Sequence, residues 1–190
     1  MFDTKSKQIC SLFESIDCAH ILYVFQNNEA YIENAASFIL AGIKSGKPTL
    51  IIENDRLWPV IEARLSSFLD HEKRKLFIFV NNYDYYSTVI NIKDPSKNFY
   101  SNEAYKAYIQ SYTKRVWAHV EWSKNSGFPP YLENFLLLAN QSIKKGGHTC
   151  VSAYDKLNLT NEAEKMLIKN HDLQLTDQKS IFNITRGNYS

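Results

Sequence analysis

Apolar positions along the chain alternate between helical and extended spacing. Ile9, Leu12, Phe13 and Ile16 recur at the three- and four-residue interval of one helix face, so residues 1–17 are expected to form a leading amphipathic helix. His20-Ile-Leu-Tyr-Val-Phe25 is short, β-branched and aromatic, the pattern of a strand buried on both faces. From Glu29 to Ser45, Ile32, Ala35, Ala36, Ile39 and Ile43 share one helix face, and Gly46 supplies the stop. Thr49–Glu53 reads as a second buried strand, Leu57, Ile61, Leu65 and Phe68 as a second helix face, and Leu76–Val80 as a third strand.

The rhythm then breaks. Residues 83–101 are rich in Tyr and Asn, contain Pro95, and read as a long surface excursion, a kind of segment that often carries function. A polar helix is expected from about Asn102 to Tyr112. Arg115–Glu121 alternates, with Val116, Ala118, Val120 and Trp122 on one side and Arg115, Trp117, His119 and Glu121 on the other, which predicts a strand. Pro129 and Pro130 open a helix whose inward face is Leu132, Phe135, Leu136, Ala139 and Ile143, closed by Gly146 and Gly147. A fifth strand, Thr149–Tyr154, a helix from about Asn161 to Asn170, and a hairpin turning at Asp177–Lys179 complete the chain. Strands separated by helices predict an α/β fold: a three-layer sandwich with a mainly parallel central sheet, helices on both faces and a C-terminal hairpin. With 190 residues, 44% of them hydrophobic, and no interdomain linker, residues 1–190 are expected to be a single domain.

Charge and composition narrow the function. A net charge of +2 argues against nucleic acid or an anionic membrane as partner. No apolar run approaches a membrane span, and the opening residues lack a signal peptide's apolar stretch and cleavage site. Cys10, Cys18 and Cys150 are sparse and odd in number, the usage of a reducing compartment, so free thiols and a cytoplasmic location are expected.

Ligands of open parallel sheets bind at the carboxyl ends of the strands. The residues there form a polar, Asn-rich and acidic rim. Its candidate ligand-binding members are Gln26, Asn28, Glu53, Asn81, Glu121, Trp122 and Tyr154, with Asn27, Asn54, Asn82 and Asp155 beside them. A phosphate-binding loop after strand one would need Gly for close approach and usually a Lys. Phe25-Gln-Asn-Asn-Glu-Ala30 has neither, so nucleotide hydrolysis is not expected. The histidines show no HxxxH or HExxH spacing and no cluster, so neither a metal nor a cofactor is expected. His171, after a helix, reads as a partner of that helix's dipole. Glu121 stands out, because the neighbouring Trp122 suggests an apolar setting, which raises a carboxyl pKa. The plainer reading of Glu53, Glu121 and Asp155 is that they cap helices and pair with Arg or Lys.

Several segments together resemble one family. His20-Ile-Leu-Tyr23, Glu29, and a helix closing as Ala41-Gly42-Ile-Lys-Ser-Gly46 resemble the start of the MEDS domain, the methanogen and methylotroph sensory domain, with Lys47 at a position acidic in that family. Glu121-Trp122 closing a strand, the following helix with Leu132, Glu133 and Asn140, and Cys150-Val-Ser-Ala-Tyr154-Asp155 are similar to its middle. His171, Asn183 and Tyr189 resemble its closing stretch, with Asp172 in place of a Pro. The resemblance spans roughly residues 18–189. It implies a fold similar to RecA- and KaiC-type ATPases with the phosphate loop lost, and a sensory role for which small organic ligands have been suggested. Members often sit beside a kinase or DNA-binding domain. This chain leaves no room for either, so signalling would pass through another protein, such as a kinase or regulator, or through self-assembly.

The expected function is therefore a non-catalytic sensory or regulatory domain that binds a small organic ligand or a protein partner at the strand-end crevice. The first alternative is an enzyme using Glu121 with Glu53 or Asp155 as acid–base or metal-binding carboxylates. The second is a structural homodimer or scaffold.

Overall fold

A computed structural model describes residues 3–90, 114–121 and 132–184. Helix α1 (Thr4–Ser15) starts where the Asp3 carboxylate accepts the Ser6 backbone N–H at 2.6 Å, and it buries Ile9, Cys10 and Phe13. Strand β1 (Ala19–Phe25) follows. Helix α2 (Asn28–Lys44) is capped by Asn27, whose side chain accepts the Ala30 N–H at 3.0 Å. It is buried nearly all round, and Gly46 at φ +62° carries the chain out of it.

Strand β2 (Thr49–Glu53), helix α3 (Trp58–Leu65), a short helix α4 (His71–Arg74) and strand β3 (Phe77–Asn81) come next. Then follow helix α5 (Asn82–Ile90), strand β4 (Arg115–His119), helix α6 (Leu132–Gly146), strand β5 (Thr149–Asp155), helix α7 (Asn161–Lys169) and the hairpin β6 (Leu173–Leu175) and β7 (Ile181–Asn183).

The seven strands form one sheet in the order β3-β2-β4-β5-β1-β6-β7. All neighbours are parallel except the hairpin pair β6–β7. One face packs Ile21, Tyr23, Ile51, Trp117 and Val151 against α1, α2 and α3. The other packs Leu22 and Tyr154 against Leu136 of α6 and Leu167 of α7, and Leu50, Ile52 and Ala118 against Tyr85 and Tyr86 of α5. This is the expected three-layer α/β arrangement. Both faces of β4 are covered, which explains why Arg115, Trp117 and His119 are as buried as Ala118.

Two boundaries are corrected. The expected surface excursion begins instead as α5. Asn81 Oδ1 accepts the N–H groups of Tyr83 and Asp84 at 2.8 and 3.2 Å, and Tyr85 and Tyr86 turn inward against β2 and β4. The rest of that segment and the helix expected near Asn102–Tyr112 lie outside the described residues. Strand β4 ends at His119, two residues before the expected Glu121, although Val120 still donates to Ala153 O at 2.9 Å. Cys10, Cys18 and Cys150 are free, as expected.

Candidate functional site

The chain moves outward from β1 to β2 to β3 over one face of the sheet. It returns to the middle with β4 and then runs to β5 in the opposite direction over the other face. The direction therefore reverses between β2 and β4, and at such a switch point the loops part and leave a crevice. In the parallel register Ile52 lies beside Ala118, so Glu53 and His119 end their strands side by side.

His119 Nδ1 lies 2.6 Å from Glu53 Oε1, which also accepts the Asn54 backbone N–H at 2.8 Å. The other Glu53 oxygen accepts the Tyr31 hydroxyl, and that hydroxyl accepts Trp117 Nε1–H at 2.9 Å. Glu53 is wholly buried, with each oxygen satisfied by a named donor. Glu121 stands beyond the strand end with its side chain 34% exposed. Its Oε2 accepts the side-chain amides of Asn82 and Asn54 at 2.6 and 3.2 Å. Its Oε1 lies 3.5 Å from Arg56 and 4.0 Å from His119 Nε2. His119 is only 2% exposed, and its Nε2 finds no hydrogen-bond partner among the described residues.

The electrostatics follow from this packing. Burial alone pulls His119 down. The Glu53 hydrogen bond and charge, with the charges of Glu121 and Asp155, overcome that and hold the imidazole above its ordinary pKa. Burial raises Glu121, but the His119 charge, the Asn82 and Asn54 amides and Arg56 bring it below the usual carboxylate value. The expected apolar, raised carboxyl at Glu121 is thereby corrected: its neighbours are donors and cations.

Glu53 and Glu121 are thus the predicted site residues brought together. Gln26 and Asn28 are exposed at the start of α2. Asn81 caps α5, and Tyr154 is buried on the α6–α7 side of the sheet. Trp122 lies outside the described residues. Asp155 caps the turn after β5, accepting the Leu157 N–H at 2.8 Å, as the plainer reading of the acidic residues held. Among the described residues no three His, Cys, Asp or Glu side chains are grouped as a metal would need. His119 is the residue that sequence reasoning missed. Its signal was the parallel register, which places it beside Glu53 once the strand order is known.

The loop after β1 carries an internal anion. Asp177, in the hairpin turn, accepts the backbone N–H groups of Gln26 and Asn27 through Oδ2 at 3.1 and 3.2 Å, and the Tyr23 hydroxyl through Oδ1 at 2.7 Å. A carboxylate of the chain itself therefore occupies the donors that precede α2.

A model of the methanogen/methylotroph, DcmR sensory domain matches residues 19–172, most of the chain. The chain belongs to the MEDS family. No curated protein matches it. The MEDS family is one of sensory domains, and the matched span holds the whole Glu53–His119–Glu121 cluster. Near its two ends stand His20 and His171, whose rings lie 3.9 Å apart, so two of the histidines do meet, against expectation. Burial drives both down, His171 to about 4. His171 Nδ1–H donates to Leu167 O in the last turn of α7 at 2.6 Å, so it partners the C-terminal end of that helix as expected, while burial disfavours its charged form. Among the described residues of this MEDS chain, no helix is long and apolar enough to cross a membrane.

Proposed function

We propose that this MEDS chain is a non-catalytic sensory or regulatory domain that binds a small organic ligand or a protein partner over the ends of β2 and β4. One observation carries the reading: at the point where the sheet's connections reverse, a buried imidazole held by Glu53 keeps Nε2 without a hydrogen-bond partner among the described residues, 4.0 Å from the partly exposed Glu121. An unmet buried polar atom is costly, and a ligand that meets it gains that cost back as affinity. Such a ligand switches the domain only by binding two states unequally. The reading also takes the phosphate loop of a RecA-like ancestor to be lost, supported by a Gly-free turn whose N–H groups Asp177 occupies. The chain would act in the cytoplasm and pass its signal to a signalling partner such as a kinase or regulator, or through a homodimer.

A thermal-shift screen with nucleotides, metals and small organic compounds finds the ligand, because binding to the native state alone raises Tm. Glu121→Gln then tests the site. Altered ligand or partner affinity with near-native Tm supports it; lost stability with unchanged affinity assigns Glu121 a structural role.

The enzyme reading is favoured by the Glu53–His119 pair, because a carboxylate on Nδ1 and a free Nε2 form the supporting half of a general-base dyad. The two readings part when a ligand from the screen is incubated with the protein. A sensor leaves it unchanged. Consumption that disappears in His119→Gln identifies an enzyme.

A further inference from the structure

The space between His119 Nε2 and Glu121 Oε1 has a definite chemistry. The two atoms are 4.0 Å apart, too far for a hydrogen bond and close enough for one atom to bridge. An oxygen about 2.8 Å from both would subtend an angle of about 90°, within hydrogen-bond reach on each side. His119 Nδ1 is committed to Glu53. Among the described residues Glu121 Oε2 is committed to Asn82 and Asn54, and Oε1 meets the 83%-exposed Arg56 at 3.5 Å and otherwise the ring of His119. What remains is one ring nitrogen and one carboxylate oxygen facing each other across a gap.

We infer that this gap takes the hydroxyl group of a small neutral ligand, its oxygen accepting from His119 Nε2–H and its hydrogen donated to Glu121 Oε1. The inference rests on the sensory reading above and names the chemical class of its ligand. Glu121 borders the gap and Glu53 stands behind the ring on Nδ1, and both carboxylates disfavour an anion. The ring of His119 lies between the carboxylates of Glu53 and Glu121, which favours its protonated form, and that form and the Arg56 guanidinium disfavour a cation. With the ring protonated the four charges sum to zero, which suits a group that is neutral, donates once and accepts once. A carbonyl cannot donate to Glu121, and an ammonium cannot accept from His119. Water shares the hydroxyl's chemistry, so the experiment must separate the two.

The full chain, labelled at histidine nitrogen, is titrated at fixed pH and ionic strength with 1-propanol, propylammonium and propionate, which share one carbon skeleton, and with glycerol. The expected result is a saturable change in the His119 ring resonances with the hydroxylated probes. Their affinity should exceed that for the charged probes by at least about tenfold, the usual scale of a hydrogen bond to a charged group. Glu121→Ala should weaken hydroxyl binding by a similar factor. The selectivity within the wild-type series needs no variant, so a folding defect in Glu121→Ala does not blunt the test. Tighter binding of propylammonium or propionate overturns the inference. So does the absence of any saturable response to hydroxylated probes, which leaves water as the occupant. If the thermal-shift screen yields another ligand that perturbs His119, the sensory reading stands while the hydroxyl inference falls.

Discussion

The ring of Tyr31 lies parallel to that of Tyr23, with centroids 6.0 Å apart and planes within 9° of each other. The two hydroxyls point to different ends of the molecule's polar wiring. Tyr31 donates to Glu53 at the end of β2, and Tyr23 donates to Asp177 in the hairpin turn. Stacked tyrosines therefore connect the β2–β4 cluster with the segment that closes over the start of α2. Lys179 fastens the same turn to Asp3 at 3.2 Å and to the Ser6 hydroxyl at 2.7 Å.

Tyr23→Phe tests this connection. It removes the donor to Asp177 and the acceptor of the Asn34 side-chain amide, which lies 2.9 Å from the hydroxyl. Two buried or half-buried polar groups lose a partner, which costs about 1–3 kcal/mol in denaturant unfolding. Hydrogen exchange at the Gln26 and Asn27 amides, both held by Asp177, should accelerate more than exchange in β4. Equal acceleration everywhere would mean that the hydroxyl contributes only global stability.

The His20–His171 pair predicts an acid-sensitive fold. Both imidazoles have folded pKa values below the ordinary value of 6.5, His171 at about 4. The unfolded chain then binds more protons than the native one, so their contribution is fully present above pH 6.5 and is lost as pH falls through the folded values. For His171 the span from 6.5 to about 4 corresponds to about 3 kcal/mol. His171→Phe should flatten the fall in unfolding free energy between pH 6.5 and 4. An unchanged slope would place the acid sensitivity elsewhere.

Gly42, in the motif that closes α2, is a packing requirement. A Cβ there would lie 2.3 Å from the Thr49 hydroxyl oxygen and 3.1 Å from the Lys47 carbonyl oxygen. Thr49 is buried at the start of β2, so its side chain can yield only by repacking its surroundings. Gly42→Ala should therefore destabilise by about 1–3 kcal/mol despite alanine's better helix propensity. A more stable variant would show that α2 and β2 can separate at no cost.

Much of the architecture is legible in the sequence because each element states its own period. The β-branched run of β1, the helix stop at Gly46 and the alternation of β4 are local signals, and the structure follows them. The site is only half legible. Glu53 and Glu121 could be nominated as strand-end carboxylates, but their meeting at His119 depends on β4 inserting beside β2, a non-local choice that no local pattern announces. The meeting of His20 with His171, 151 positions later, is hidden for the same reason. The inward turn of Tyr85 and Tyr86 was masked by a Tyr- and Asn-rich composition that reads as loop, because tyrosine packs and hydrogen-bonds equally well.

The pairing of His119 with Glu53 sets a pH dependence of opposite sign. Here the folded pKa is raised above 6.5, so the native state binds the extra proton. The stabilisation is fully present below pH 6.5 and is lost as pH rises through the folded value. In Glu53→Gln, His119 loses the hydrogen-bonded carboxylate among the groups that raise its pKa, so that pKa should fall and the alkaline decline should shrink. Breaking a buried pair on one side costs about 3–5 kcal/mol, so the variant should also be less stable at pH 6. Unfolding free energies of wild type and Glu53→Gln from pH 5 to 9, with the His119 ring followed by NMR, measure both effects. The curves should converge toward alkaline pH as the wild-type ring loses its proton. Parallel curves across the range, with His119 titrating alike in both proteins, would show that Glu53 holds Tyr31 and the Asn54 backbone but does not tune the imidazole.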